Sequence, residues 1–481
     1  MFQWISYSWH YMRLIVSVFN YYQKYLRGDI QLNEFVDQLI PKISACGSVA
    51  IKFCQWLVPK MELMYINEEL FFDPEYEKPR WVKKLEVFLE DCPEHDVSYS
   101  LKHYREIFRE EITDQYTIKD TLGSGSIGQV YLIENKKTSM QYVMKIQHPD
   151  INSQISFFYY FYWLISRIPI LKTMSRKIPF NLYDFIQSFT EQCDFIHEAN
   201  NLLRMKDTYK DNDYILIPEV IKVSRTILIM EYLKGDSFDR ADISEYKLGK
   251  VFTLFYIFTR NNILIENFNH GDLHQGNWKV TDDGRLIVYD FGFCWSIPKD
   301  KESLIELALN TFEGTSPTDV EVIIKNISEL MYMLLNHDGV VDKENLRRDI
   351  RDHVTDSDFV GKSGNGVVAS PITTIKLMNI FCQQRENITI NSHLIQFLIL
   401  FIQIQRNCIR YGYASFQGDT YPVSKVYKDR YMDCLNICKT YNIFPGYTRY
   451  IEEKLNGIQL ERTTIFDTII IPESLREFAI Q

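Results

Sequence analysis

His270-Gly271-Asp272-Leu273-His274-Gln275-Gly276-Asn277, followed by Asp290-Phe291-Gly292, is the stretch on which the reading of this chain turns. A carboxylate is followed five residues later by an amide. A second carboxylate follows a short hairpin that turns at Asp283-Gly284. Carboxylate and amide oxygens suit a hard cation such as magnesium, which fills its remaining positions with phosphate and water. Asn277 and Asp290 are therefore the expected magnesium ligands, and Asp272 the acid that meets a hydroxyl or an attacking water. His270 is expected to orient the loop. His274 reads as structural, with a phosphate-facing role as the alternative.

Working outward, Gly123-Ser124-Gly125-Ser126-Ile127-Gly128-Gln129-Val130 reads as G-x-G-x-x-G-x-V. Glycines let a backbone approach phosphate oxygens without a side-chain clash. The run lies between strand-like segments at 116–122 and 129–134, as a phosphate-covering loop does, although an ordinary hairpin carries the same glycines. Lys145 lies in a third strand-like run, 141–147. A lysine in an apolar strand is costly unless paired. Glu198 is the expected partner, leaving the ammonium to hold ATP phosphates. Glu191, Asp194 and Glu198, spaced i, i+3, i+7, are expected on one face of a single helix over about 182–209. Residues 226–233 read as an inner strand entering a hinge, with Met230, Glu231 and Leu233 beside an adenine edge. Two absences bear on the acceptor. Gly271 stands where many protein kinases have an arginine, and no Ala-Pro-Glu follows Asp290, so a peptide platform is not expected.

The chain has 481 residues, 46% hydrophobic and 14% aromatic, enough for two lobes and an extension. Its net charge of −10 argues against broad nucleic-acid binding, which needs a basic surface. The nine cysteines form no Cys-x-x-Cys, and a reducing intracellular compartment is expected. Cys434 and Cys438, one helical turn apart, read as packing thiols. No secretory signal is visible, and the apolar run 157–165 is too short to span a membrane. Residues 1–112 read as a helical extension. Within it, Ser6, His10, Arg13, Ser17, Asn20 and Lys24 draw a single polar stripe along an otherwise apolar and aromatic helix. That helix docks either on its own protein or peripherally on a membrane surface. Residues 47–63 read as a further helix, carrying Lys52 and Gln55. Residues 113–235 read as a small antiparallel sheet with one long helix after its third strand, and 236–481 as mainly helical, with a Gly- and Ser-rich interruption at 356–370.

These motifs together resemble the UbiB/ADCK (aarF-domain) family of atypical kinases over roughly residues 40–420. The segments that carry the resemblance are Gly47-Ser48-Val49-Ala50-Ile51-Lys52-Phe53-Cys54-Gln55, Lys145-Ile146-Gln147-His148-Pro149, Cys193-Asp194-Phe195 with Glu198-Ala199-Asn200, and the two runs first quoted. The resemblance implies an α+β, bilobal protein-kinase-like fold with a sheet N-lobe, a helical C-lobe and a helical N-terminal extension. It implies ATP and magnesium as cofactors, an ion pair of Lys145 with Glu198, and Asp272 as catalytic-loop acid. Lys52 and Gln55, with Asp194, match the regulatory motifs of an extension that covers the active site. ATP hydrolysis, lipid or quinone metabolism and membrane association are the implied functions. The chain departs from the family at Cys54, where the family has glycine, at Gln192, where it has glutamate, and at Gly123–Ser126, where it has an alanine-rich loop. Two alternatives stay open. One is a phosphotransferase acting on a lipid or small-molecule hydroxyl, as choline and aminoglycoside kinases do. The other is an ATP-switched scaffold.

Overall fold

The computed structural model describes residues 2–65, 77–85, 92–165, 167, 179–180, 182–237, 245–312, 320–337, 339, 341–353, 371–385, 388–410 and 423–457. Its organising element is a five-stranded antiparallel sheet in the order β1-β2-β3-β6-β5. The strands are β1 (Tyr116–Ser124), β2 (Gly128–Asn135), β3 (Gln141–Gln147), β5 (Val220–Val223) and β6 (Ile227–Glu231); β4 (Ile215–Leu216) pairs elsewhere. Side chains alternate between the two faces with the strand period. Met144, Ile146, Ile227 and Ile229 join Tyr104, Tyr116, Tyr131 and Ile133 in a compact outer cluster. Val143, Leu228 and Met230 face the main core instead. Lys145, two residues from Val143, is on that inner side by the same alternation.

Helices α1 (Phe2–Leu26), α2 (Leu32–Ala45), α3 (Ser48–Tyr65) and α4 (Arg80–Leu85) precede the sheet, and α5 (Val97–Phe108) covers its outer cluster through Tyr104. Pro59 lies inside α3. After β3 come α6 (Ile151–Ile165), α7 (Leu182–Gln192) and α8 (Phe195–Thr208). Two helices, α7 and α8, therefore stand where a single helix over about 182–209 is expected. The break at Cys193-Asp194 has a local cause. Asp194 is extended (φ −98°, ψ 102°), and its carboxylate accepts from the Ile196 N–H as the N-cap of α8. The Phe195 N–H meanwhile donates to the Arg225 carbonyl. Glu191, on α7, and Asp194, a cap, thus do not share a helix face with Glu198, and the i, i+3, i+7 reading is corrected.

Helix α9 (Glu245–Asn261) is apolar on every side from Val251 to Phe258 and runs through the core. It ends in a π-turn at Asn262–Glu266 and a left-handed Asn267 (φ 45°), which deliver β7 (Asn269–His270) and the motif run. β8 (Trp278–Val280) and β9 (Leu286–Val288) form the expected hairpin, with Gly284 at φ +76° in its turn. β4 runs parallel to β9, and β10 (Cys294–Trp295) pairs with β7. Helices α10 (Ser303–Phe312), α11 (Val320–Leu334), α12 (Lys343–His353), α13 (Pro371–Gln384), α14 (Ile395–Arg410), α15 (Val423–Tyr441) and α16 (Pro445–Gly457) follow. Cys434 and Cys438 are buried in α15 as packing thiols. The Gly- and Ser-rich run 356–370 lies outside the described residues. Among the described residues no helix is long and apolar enough to cross a membrane.

Candidate functional site

Four elements converge below the sheet. β3 brings Lys145, and α8 brings Glu198 on its buried face beside Phe195, Ala199 and Leu202. The two are paired at 2.8 and 3.1 Å. Glu198 is 1% exposed, so its charge has no solvent to fall back on. The Lys145 Nζ also lies 3.4 Å from Asp290 Oδ2, across the sequence distance that separates the two motifs. Phe195 places its ring 5.1 Å from the ammonium. Burial alone would push Lys145 down, but Asp290 and Glu198 outweigh it and hold the ammonium protonated above its ordinary value. Burial pushes the Glu198 carboxyl up, against the pull of Lys145. Asp290 moves far below the usual carboxylate range, because Lys145, Lys52 and His270 together overcome its desolvation.

Asp290 adopts φ 53°, a left-handed conformation that an aspartate tolerates but that is uncommon outside glycine. Its Oδ1 accepts from the Gly292 N–H at 3.3 Å. A Cβ on Gly292 would sit 3.1 Å from that oxygen and 3.6 Å from Glu198 Oε2, so glycine is what fits between the carboxylates.

The catalytic-type run is held by its own hydrogen bonds. The buried His270 donates from Nε2 to the Tyr289 carbonyl (2.9 Å) and accepts at Nδ1 from the Asp272 N–H (3.1 Å). Those partners require the neutral Nε2–H tautomer, and burial lowers the ring's pKa in the same sense. Asn277 donates from Nδ2 to the Asp272 carbonyl at 2.7 Å, which leaves its amide oxygen as the atom available to a cation. His274 caps the turn by accepting from the Gly276 N–H, the structural role expected of it. Gly271 is explained by Phe293. A Cβ there would lie 2.4 Å from the Phe293 ring, so no arginine could replace it without moving that ring.

Helix α3 reaches the site twice. The Lys52 Nζ stands 3.6 Å from Asp272 Oδ2, and Gln55 Oε1 accepts from Ser126 Oγ at 3.1 Å. Burial would raise the Asp272 carboxyl, but Lys52, then His274 and His270, hold it below its ordinary value. Asp194 is not part of this contact. It caps α8 and pairs loosely with Arg225 at 3.8 Å. Gln192 donates to Ser188, and Glu191 accepts from Gln187, so neither takes the place of the family's glutamate beside Lys52.

The glycine run closes β1 on β2. The Gly125 N–H donates to the Gly128 carbonyl, and a Cβ at Gly128 would meet the Ile146 carbonyl oxygen at 2.5 Å. Gly123 carries no such constraint, since a Cβ there would meet nothing within 4 Å. Ser124, Ser126 and Ile127 are buried, and Val130 packs against the main core. Beyond Met230 the strand ends at Glu231, whose N–H is taken by the Glu219 carbonyl; the Leu233 carbonyl accepts from the Tyr289 hydroxyl at 2.8 Å. Sequence reasoning missed Phe293, Phe195 and Tyr289, because aromatic rings packed against a motif leave no spacing signature. It also missed Lys60, two helical turns beyond Lys52 on α3. Lys60 is buried over the Trp56 ring, and desolvation pushes it down to about 7.

Three comparisons bear on the chain's family. Residues 91–322 match the family model of the ABC1 atypical kinase-like domain. A probable serine/threonine-protein kinase of Dictyostelium discoideum, abkC, is 28% identical over 269 residues, 52% of this chain and 36% of that one. A probable protein kinase UbiB of Cronobacter sakazakii is 27% identical over 212 residues, 41% of this chain and 38% of its own. The chain thus spans little more than a third of the length of these relatives. Among solved structures, the complex of Rv3197 with erythromycin from Mycobacterium tuberculosis covers 76% of this chain and 92% of that one, at 16% identity and a TM-score of 0.39, too loose a likeness to argue from. Residues 91–322 thus match an ABC1 atypical kinase-like domain, a mixed α/β unit with antiparallel sheets and mostly helical content, and the similarity to these relatives supports the resemblance to the UbiB/ADCK kinases.

Proposed function

We propose that this protein binds magnesium–ATP and transfers or hydrolyses its terminal phosphoryl group, under the restraint of helix α3. The observation that carries the reading is Lys145, from the sheet, standing within 3.4 Å of both Glu198 and Asp290. Three carboxylates (Glu198, Asp290, Asp272) face two ammonium groups (Lys145, Lys52), so the cluster carries one negative charge in excess. A divalent cation held by Asp290 and the Asn277 oxygen corrects that excess, and with so few protein ligands the metal suits magnesium shared with phosphates. Magnesium would supply charge neutralisation on the phosphate oxygens. Lys145 would hold the inner phosphates, oriented by Glu198. The Gly123–Gly128 loop with Val130 would cover the phosphates, and Met230, Glu231 and Leu233 would border the adenine. In the transfer, the nucleophile's oxygen bonds to the terminal phosphorus as the bridging P–O bond breaks, and Asp272 orients the nucleophile and takes its proton.

On this reading the chain is two-lobed, with 113–235 as the sheet lobe, 236–481 as the helical lobe and 1–112 as an extension. Lys52 stands on Asp272, where an acceptor hydroxyl would approach, and Phe293 fills the space beside Gly271. Both favour ATP hydrolysis, or a small or lipid hydroxyl as acceptor, over a peptide. Steady-state phosphate release and labelled-phosphate transfer to lipid and polar metabolite extracts, compared between wild type and Asp272→Asn, test this. Equal turnover by both proteins would defeat the catalytic assignment. Nucleotide binding without any turnover would favour the scaffold alternative.

A second observation favours peripheral membrane contact. Helix α1 has two apolar faces. One packs against α6 through Trp4, Tyr7 and Tyr11 on Phe157. The other leaves Ile5, Trp9, Met12, Val16 and Phe19 exposed at helical spacing, and α6 exposes Tyr160, Trp163 and Leu164. Neither helix contains a carboxylate, and Arg13 and Lys24 flank the stripe, in a chain of net charge −10. Aromatics with flanking cations and no acids suit an anionic lipid surface.

A further inference from the structure

A hydrogen-bonded chain of two histidines lies against the glycine run. The His148 ring, just past β3, puts Nε2 2.8 Å from the Gly125 carbonyl oxygen and 3.4 Å from Ser124 Oγ. Its Nδ1 lies 2.7 Å from Nδ1 of His95. His95 in turn puts Nε2 2.7 Å from Ser100 Oγ, which is 2.9 Å from the Tyr131 hydroxyl. The His95 N–H donates to Gln129 Oε1 at 2.9 Å, and the His148 N–H to the Ile127 carbonyl at 2.9 Å, so both rings are fixed to the strands that frame the run.

One end of this chain sets every proton in it. A carbonyl oxygen only accepts, so His148 Nε2 carries a hydrogen. With the ring neutral, Nδ1 of His148 is bare and accepts from Nδ1–H of His95. His95 Nε2 is then bare and accepts from Ser100, whose oxygen accepts from Tyr131. Both rings stay neutral because the surroundings disfavour their charge. Burial pushes His148 down. Burial, then the neighbouring His148 and His103, push His95 down to about 4, against the opposing pull of Asp96. From α5, Tyr99 meets the His95 ring edge-on and stacks on His103, while Asp96 is engaged by the Ser98 N–H.

We propose that His148, locked in its Nε2–H tautomer by His95, is a positioning residue for the phosphate-covering loop. In a trans peptide the carbonyl and the following N–H point in opposite directions. Holding the Gly125 carbonyl toward His148 therefore turns the Ser126 N–H away from the histidine, and the Ser126 hydroxyl is itself held by Gln55 of α3. The histidine pair holds Ser124 and Gly125, and α3 holds Ser126 next to them. The inference rests on the nucleotide reading of the loop, and its test separates the two.

Three variants of the full chain decide it: His148→Gln, which keeps a donor near Nε2, His148→Leu, which removes it, and His95→Leu, which removes only the lock. Magnesium–ATP affinity should fall about threefold to tenfold in His148→Leu, the size of one lost neutral hydrogen bond, and stay near wild type in His148→Gln. Saturated turnover should change little, and wild-type affinity should show no histidine titration between pH 6 and 8. Nitrogen-15 imidazole spectra should report His148 as the neutral Nε2–H form, shifting to a tautomer mixture in His95→Leu. An Nδ1–H His148, equal affinity loss in the Gln and Leu variants, or an affinity limb near pH 6.5 would each overturn the proposal. Should wild type bind no nucleotide, the nucleotide reading alone fails. Amide exchange over 123–128 then decides the inference: faster exchange in His148→Leu than in His148→Gln upholds it, and equal exchange refutes it.

Discussion

Lys52→Ala is the perturbation that probes the restraint on the site. The Lys52 ammonium lies 3.6 Å from Asp272 Oδ2, with 15% of the lysine side chain and 41% of the aspartate exposed. Two unit charges at that distance interact by ~1 kcal/mol in water and by ~5 kcal/mol at an effective dielectric of about 20. The exposure of Asp272 and salt screening place the pair toward the lower figure, at about 1–2 kcal/mol. Since 1.36 kcal/mol corresponds to a tenfold change, removing Lys52 should raise the Asp272 acidity midpoint by about one pH unit. The sign follows from the charge. Lys52 stabilises the carboxylate and holds its pKa down, so without Lys52 the group protonates at a higher pH. The acid limb of the ATPase pH profile should therefore move upward by about one unit. A more basic Asp272, freed of the ammonium at its oxygen, should also raise the plateau rate severalfold at pH 8. The assay is phosphate release from pH 3 to 8.5 for both proteins. An unchanged acid limb and plateau would show that Lys52 does not act on Asp272.

Glu198→Gln should destabilise the fold by about 3 kcal/mol, read as a lower urea midpoint, because it leaves the buried Lys145 with Asp290 as its remaining partner. Gly128→Ala should cost about 1–3 kcal/mol, since its Cβ must displace the Ile146 carbonyl, whereas Gly123→Ala should be close to neutral. Replacing Trp9 and Val16 together by glutamate should abolish co-sedimentation with anionic vesicles while leaving the thermal midpoint near wild type. Equal sedimentation of both proteins would count against the lipid surface.

Much of the site was legible because it is written in local spacing. Asp272, Asn277 and Asp290 occupy one loop and one hairpin, and strand alternation alone puts Lys145 on the inner face of the sheet. The Lys145–Glu198 pair was legible for a different reason. A lysine between Met144 and Ile146, both fully buried, demands a carboxylate, and α8 offered few. Asp194 was misplaced because periodicity does not register a cap. Asp, Asn and Ser leave a helix pattern unbroken in sequence while ending the helix in space. Phe293 against Gly271, and His95 against His148, join positions far apart in the chain through ring packing and proton placement. Neither leaves a period or a motif to read.

The central claim is that Lys145, Asp290 and Asn277 bind one metal–triphosphate. Calorimetric titration with ATP, with and without magnesium, on wild type and Asp290→Asn tests it most directly. Magnesium should tighten wild-type binding by at least about tenfold, the effect of one well-placed charge interaction, and Asp290→Asn should remove that dependence while the protein stays folded. Binding by wild type that ignores magnesium and is equalled by Asp290→Asn would contradict the account.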